Sequence, residues 1–357
     1  MFKINYLILL SLLCSCNTSP IKMIKPDLVE KNSATVDIAQ DKHDFSKIRE
    51  SVSKKVENEQ TKKHVLNTKT HENTVKVQSY CKKIDKYFAK YNWGKSNCED
   101  FSWHHVRSSY LGNPIIWYVY GDEKEYELKK NKNVTLILCG VHGDEITPVK
   151  FCFDILNDIK KSPELIKDNL IVLAPIVSPD SFMKKYPTRT NARGIDVNRN
   201  FPTKDWNKKA IKLWKQRYGS NKRRYPGRKA LSEQETIFQV NIINRYKPSK
   251  IISVHSPLTL IDYDGPSTGH KHGTQAELLL IQMSDKAGKY KINNYPFFTG
   301  SLGNWAGNER NIPTYTLELP NSDWNKTDRY FKTFRTAIHH AISHKLKAKN
   351  EITKNKN

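Results

Sequence analysis

Short apolar runs, each followed by a segment of helical spacing, constrain the fold of this chain more than any other feature. Val134–Cys139 and Asn169–Ala174 are almost continuously apolar over strand length, the mark of strands buried on both faces. Pro114–Tyr120, Lys250–Val254 and Thr314–Leu319 read as further strands. Between and after them, Thr147–Ile159, Gln275–Lys289 and Lys326–Ala348 have helical periodicity. Another long helix is expected to open at Leu231–Glu235, with Ser232 as its cap and Glu235 completing a capping box. Strands alternating with helices predict a three-layer α/β/α sandwich around a central mixed, mostly parallel sheet. In such sheets the functional residues lie just beyond the carboxyl ends of the strands.

These runs do not fill the 357 residues evenly. Between Asn17 and Ser79 there is one aromatic residue, Phe45, and no glycine, while Lys, Glu, Asn, Thr and Ser abound. Such a stretch buries too little apolar surface to offset chain entropy. Residues 16–79 are therefore expected to be a disordered, Lys-rich tether, 80–345 a single catalytic-sized domain, and 346–357 a basic tail. The formal net charge of +24 is spread along the whole chain, and no nucleic-acid-binding motif accompanies it. Nucleic acid is accordingly not expected as a partner.

At the start, Lys3 precedes the apolar run Tyr6–Leu13, too short to cross a bilayer but of the length of a secretory h-region. The run ends in Leu13-Cys14-Ser15-Cys16, which resembles a bacterial lipobox. That resemblance implies a signal peptide over 1–15, cleavage after Ser15, lipid on Cys16, and anchoring at the periplasmic face of a membrane. Asn17, rather than Asp, after the cysteine implies the outer membrane. Of the other cysteines, Cys81 and Cys98 are candidates for a disulfide in an oxidising compartment. Cys139 and Cys152 read as small apolar core residues.

Chemistry enters where the strands end. Val134–Cys139 runs straight into Gly140-Val141-His142-Gly143-Asp144-Glu145, and a His and a Glu with two residues between them beyond a strand can turn onto one cation. Neutral imidazole and carboxylate both suit Zn²⁺. A second histidine, His255, closes the run Ile252-Ser253-Val254-His255-Ser256-Pro257. Glu318 closes Ile312-Pro313-Thr314-Tyr315-Thr316-Leu317-Glu318-Leu319-Pro320, in apolar company that raises a carboxyl pKa towards that of a useful base. Two polar segments complete the pattern: Arg189-Thr190-Asn191-Ala192-Arg193-Gly194-Ile195-Asp196-Val197-Asn198-Arg199-Asn200-Phe201-Pro202, and Tyr295 followed by Gly300-Ser301-Leu302-Gly303-Asn304-Trp305-Ala306-Gly307. Asp144 reads as a surface or supporting group, Trp305 as core, and His104, His105, His270 and His272 as histidines outside any metal site.

Taken in order over residues 105–325, these segments resemble the zinc carboxypeptidases of the carboxypeptidase A type, and within them the bacterial murein tripeptide amidase group. The resemblance implies that His142, Glu145 and His255 are the zinc ligands and that Asp196 orients the first of them. It implies Glu318 as general base and Arg189 as the group that polarises the scissile carbonyl, with Arg193 the alternative. Asn198 and Arg199 would grip the terminal carboxylate, a task suited to a planar guanidinium. Tyr295 would be the mobile tyrosine of the pocket.

The activity so implied is hydrolysis of an amide next to a free terminal carboxylate, with peptidoglycan stem peptides or muropeptides as substrate. The bond implied is γ-D-glutamyl–diaminopimelate. A membrane-held enzyme on a long arm would trim intact wall, where the soluble amidases act on free peptide. Three other readings stand beside it: a zinc deacylase of the aspartoacylase or succinylglutamate desuccinylase type, a general protein carboxypeptidase, and a catalytically idle wall-binding lipoprotein.

Overall fold

The computed structural model describes residues 65–128, 133–266 and 273–346. Cys16, the signal and most of the expected tether lie outside them, as do the tail beyond 346 and the histidines at 270 and 272. All described residues fall in one compact unit.

Among the described residues, eight strands form one sheet: β1 (His104–Ser108), β2 (Pro114–Tyr120), β3 (Asn133–Leu138), β4 (Asn169–Ala174), β5 (Lys250–His255), β6 (Leu260–Tyr263), β7 (Ile292–Asn293) and β8 (Thr314–Glu318). Their spatial order is β1-β2-β4-β3-β5-β8-β6-β7. The middle four, β4, β3, β5 and β8, run parallel. Antiparallel β1 and β2 flank them on one side, and β6, antiparallel to β8, begins the other. The parallel block brings Leu138, His255 and Glu318 to a single edge of the sheet.

Helices cover both faces: α1 (Val75–Lys90), α2 (Glu123–Leu128), α3 (Thr147–Ile159), α4 (Pro179–Phe182), α5 (Trp206–Gln216), α6 (Gln234–Tyr246), α7 (Gly273–Lys286) and α8 (Thr327–Ser343). Successive side chains of a strand point to opposite faces, so a continuous apolar strand needs two apolar partners. In β3, Ile137 belongs to the same core cluster as Phe151, Ile155, Leu279 and Phe334 of α3, α7 and α8, whereas Leu136 and Leu138 join Phe238, Ile242 and Ile243 of α6 on the other face. Truncating one such fully buried ring, Phe334 for instance, costs about 3–5 kcal/mol.

Several expectations need correction. The folded part begins before residue 80: Leu66 N–H donates to the Lys160 carbonyl, Asn73 holds Phe101 and Trp103, and α1 starts at Val75 with Thr74 capping it. Polar side chains that bond the backbone, not apolar bulk, tie this segment down, so composition alone missed it. No capping box forms at α6. Ser232 donates to Glu233 instead, and Glu235 is buried against Asn191. Cys139 and Cys152 are not free thiols but a disulfide, with Cα atoms 6.3 Å apart, because α3 folds back over the end of β3. Cys81 and Cys98 are bonded as well, at 5.3 Å. The strands β1, β6 and β7 were not anticipated. They are short edge pieces, and β1 carries His104, His105 and Arg107 with no apolar alternation.

Candidate metal centre and active site

Gly140 follows β3 with φ +59°, a left-handed conformation that a side chain would strain, and turns the chain so that Val141–Glu145 folds back over the sheet edge. Gly143 passes so close to Ser181 that a Cβ would lie 2.2 Å from its carbonyl carbon. These two glycines place His142 and Glu145 beside His255 at the end of β5. One ligand atom from each of the three lies within 4.8 Å of the others, and all three side chains are buried.

Glu145 spans the two histidines. Its Oε1 is 2.8 Å from His142 Nδ1 and its Oε2 2.8 Å from His255 Nδ1. The outer ring nitrogens are held elsewhere, His142 Nε2 at 3.1 Å from Asp196 Oδ1 and His255 Nε2 at 2.9 Å from Ser253 Oγ. A proton on each Nε2 leaves both Nδ1 lone pairs facing inward. This is the tautomer that a metal ligand needs. Two inward imidazoles and one carboxylate fit Zn²⁺, with a coordination position left for water or substrate. Among the described residues this is the only such cluster.

The electrostatics agree. Burial works to raise the Glu145 carboxyl, but His142 and His255 outweigh it and hold Glu145 well below the carboxylate range. Burial likewise opposes the charge on Asp196, yet Arg189 and His142 keep it ionised far below its usual value. Asp196 also accepts from the Asn198 N–H at 3.0 Å, which fixes the short helical turn Val197–Arg199.

Around this centre lies a cavity of about 550 Å³. Arg189, Asn198, Arg199, Tyr295 and Glu318 all line it with the three metal-type ligands. Arg189 Nε donates to Asp196 at 2.9 Å and its Nη1 to Glu145 at 3.1 Å, so the guanidinium stands at the donor cluster. Arg199 is only 8% exposed; its Nη1 donates to the Asn198 carbonyl at 2.6 Å and its Cζ lies 4.7 Å from the Phe298 ring centre. Asn198 Oδ1 accepts from the Leu302 N–H, which ties this wall to the π-helical turn Gly303–Asn308. Burial pushes the Glu318 carboxyl up, and His255 offsets that only in part.

Arg193, the alternative to Arg189, stands elsewhere. It is half-exposed, pairs with Glu233 at 3.4 Å, and does not line the cavity. Asp144 does line it and pairs with Arg223. His104 pairs with Glu123 at 3.3 Å, apart from the donor cluster. The cavity also holds residues that the sequence reading passed over: Ser253 under His255, Arg223 and Arg224 at the wall, Asp262 on β6 and Asp264 just after it. Only the last two had a visible signal, acids alternating with apolar residues in Leu-Ile-Asp-Tyr-Asp.

A buried His–Glu–His donor set facing a cavity at the carboxyl edge of an α/β sheet defines a zinc hydrolase. Residues 84–340 match the zinc carboxypeptidase family, and the chain belongs to that family. It is thus a zinc metallopeptidase with Zn²⁺ as cofactor. Among similar proteins is murein peptide amidase A of Escherichia coli (strain K12), 28% identical over 219 residues, or 60% of this chain and 80% of that protein. The protein of the same name from Vibrio campbellii (strain ATCC BAA-1116) is 28% identical over 215 residues, 59% and 77% of the two chains. Of solved structures, carboxypeptidase A from Helicoverpa armigera superposes with a TM-score of 0.54 at 17% identity, covering 84% of this chain and 82% of its own; that likeness concerns the fold.

Proposed function

We propose that this enzyme hydrolyses the γ-D-glutamyl–diaminopimelate bond of peptidoglycan stem peptides, working from the residue that carries the free carboxylate. What carries the reading is one wall of the cavity: Asn198 and Arg199 stand beside the metal-type cluster and Glu318, so a terminal carboxylate and the adjacent amide fit together. The relatives named murein peptide amidase A support the wall peptide as substrate.

His142, Glu145 and His255 would hold zinc, which when bound lowers the pKa of water and polarises a carbonyl. Arg199 and Asn198 fix the substrate's carboxylate and make the reaction an oriented, nearly unimolecular step. Arg189 donates to the carbonyl oxygen as negative charge grows there. Glu318 takes a proton from the attacking water and delivers it to the leaving nitrogen.

We place the enzyme in the cell envelope, lipid-anchored through Cys16 and facing the wall. The lipobox-like Leu13–Cys16 supports this, and so do the two disulfides, which persist in oxidising compartments. Cys16→Ser is expected to shift the protein from the membrane to the soluble fraction; unchanged membrane recovery would count against lipidation. For the activity, mass spectrometry of a γ-D-glutamyl-diaminopimelate peptide incubated with the zinc-loaded protein should show free diaminopimelate. Turnover of N-acyl amino acids alone would favour the deacylase reading, cleavage of ordinary peptides alone a protein carboxypeptidase, and binding without turnover an idle wall binder.

A further inference from the structure

We propose that a second cavity beside the metal centre receives the retained, acyl side of the substrate, and that Arg223, at its junction with the first, selects an acyl residue with a free carboxylate close to the scissile bond. This selection rests on the wall-peptide reading and deepens it: a γ-linked glutamate keeps its α-carboxylate free at that place.

The second cavity has a volume of about 530 Å³ and shares Arg189 and Arg223 with the first. Asn198 and Arg199, which take the terminal carboxylate, line the first alone. A substrate with that carboxylate at Arg199 and its scissile carbonyl at Arg189 therefore continues, on the acyl side, past Arg189 into the second cavity. Trp214 and Tyr225 give this cavity an apolar wall, their ring centres 4.8 Å apart. Its charged lining is Arg189, Lys222 and Arg223, with no carboxylate among the lining residues. The surrounding segment has the same sign: from Lys204 to Lys229 eleven Lys and Arg stand against one acid, Asp205. Such a field draws in an anionic group and disfavours a cationic one.

The cations sit on a braced turn, Lys222–Arg224. Asn221 Oδ1 accepts from the Arg223 N–H at 2.9 Å, and the Asn221 carbonyl accepts from Trp214 Nε1 at 2.8 Å. The Tyr225 carbonyl accepts from the Asp196 N–H at 2.8 Å, which ties the turn to the segment carrying Arg189 and Arg199. Arg223 Nη1 donates to Asp144, and Arg189 Nη1 donates to Glu145 at 3.1 Å. Two guanidinium groups thus stand on consecutive residues of the metal loop, whose Cα atoms are about 3.8 Å apart. A γ-linked glutamate offers two acceptor groups at a similar separation. Its α-carboxylate carbon lies roughly 5 Å from the scissile carbonyl carbon when the chain between them is extended. Arg223 makes no other side-chain bond among the described residues, so its remaining N–H donors can hold that carboxylate while Asp144 keeps the guanidinium in place.

The test uses the full-length, zinc-loaded protein and paired substrates that differ only in the carboxylate: N-acetyl-γ-D-glutamyl-diaminopimelate against N-acetyl-γ-aminobutanoyl-diaminopimelate. A second pair has ordinary α-linkage, N-acetyl-α-glutamyl- against N-acetyl-α-glutaminyl-diaminopimelate, with the carboxylate or its amide equally far from the scissile carbonyl. In the first pair the carboxylate substrate is expected to be preferred in kcat/KM by at least about tenfold, since a site built for a polar partner rejects the analogue lacking it. Arg223→Gln should shrink that ratio about tenfold, chiefly through a higher KM for the carboxylate substrate, and Arg223→Lys, which keeps the charge without the planar fork, should restore part of it. Equal turnover of the first pair by the wild-type protein overturns the proposal while the wall-peptide reading stands, and this outcome does not depend on whether a variant folds. An unchanged ratio in the folded Arg223→Gln variant overturns it too. Cleavage of neither member of the first pair sinks the wall-peptide reading instead, and the second pair then decides: a glutamyl preference that Arg223→Gln abolishes upholds the selection, and equal turnover overturns it.

Discussion

Glu318 is the direct partner of His255 across the β5–β8 ladder, and the Leu319 N–H returns to the His255 carbonyl at 2.8 Å. Adjacent parallel strands thus place a metal-type ligand and an unligated carboxylate side by side with the backbone locked between them. Glu318→Gln keeps volume and hydrogen bonding but cannot take a proton. Turnover should fall by about 10²–10⁴-fold while zinc content and substrate affinity persist. Metal analysis and kinetics on one preparation check this; near-normal turnover, or loss of the metal, removes Glu318 from the role of base.

Replacing a member of the donor cluster should do the opposite. His255→Ala deletes one of three converging ligands and leaves Glu145 with a single imidazole partner. Zinc stoichiometry should drop well below one per chain, with activity lost in proportion. Full occupancy in this variant would place the metal elsewhere.

Arg199→Ala removes a buried guanidinium from the cavity lining. Capture of the terminal carboxylate should suffer first, so KM rises by tenfold or more and kcat falls less. An equal loss in kcat with KM unchanged would contradict a carboxylate-binding role.

Lys250, far from this chemistry at the start of β5, offers a test by pH. It is fully buried, its Nζ donates to Asn133 and the His344 carbonyl, and burial lowers its pKa to about 7. In the unfolded chain it titrates near 10.5. Between those values the unfolded state binds more protons, so this group makes stability rise from pH 7 towards pH 10. Lys250→Met should flatten that slope in urea melts collected across the range. A slope equal to that of the wild type would mean that Lys250 stays charged in the fold.

The two disulfides predict that no cysteine from 81 to 152 is alkylated until the protein is reduced. Reduction should lower Tm, because each bridge closes a loop of fewer than about 20 residues and such loops contribute about 3 kcal/mol. Free thiol at Cys139 in the oxidised protein would contradict the bridge.

The sequence by itself determined the parallel core and the residues at its carboxyl edge. Apolar runs of strand length report burial on both faces, and His142, Glu145, His255 and Glu318 stand within a few residues of where those runs stop, so local pattern carries their placement. Arg189 and Arg193 lie four residues apart in one irregular segment, and only the folded path of that segment sends the first to the metal-type cluster and the second to Glu233. The bond between Cys139 and Cys152 depends on how α3 packs over β3, and the early start of the fold on hydrogen bonds from Leu66 and Asn73 to partners 28 or more residues away. Asp262 and Asp264 read locally as acids in a short strand. They line the cavity only because β6 pairs antiparallel to β8 in a register that turns them to the face of Glu318, and pairing between strands more than 50 residues apart is a property of the tertiary structure alone.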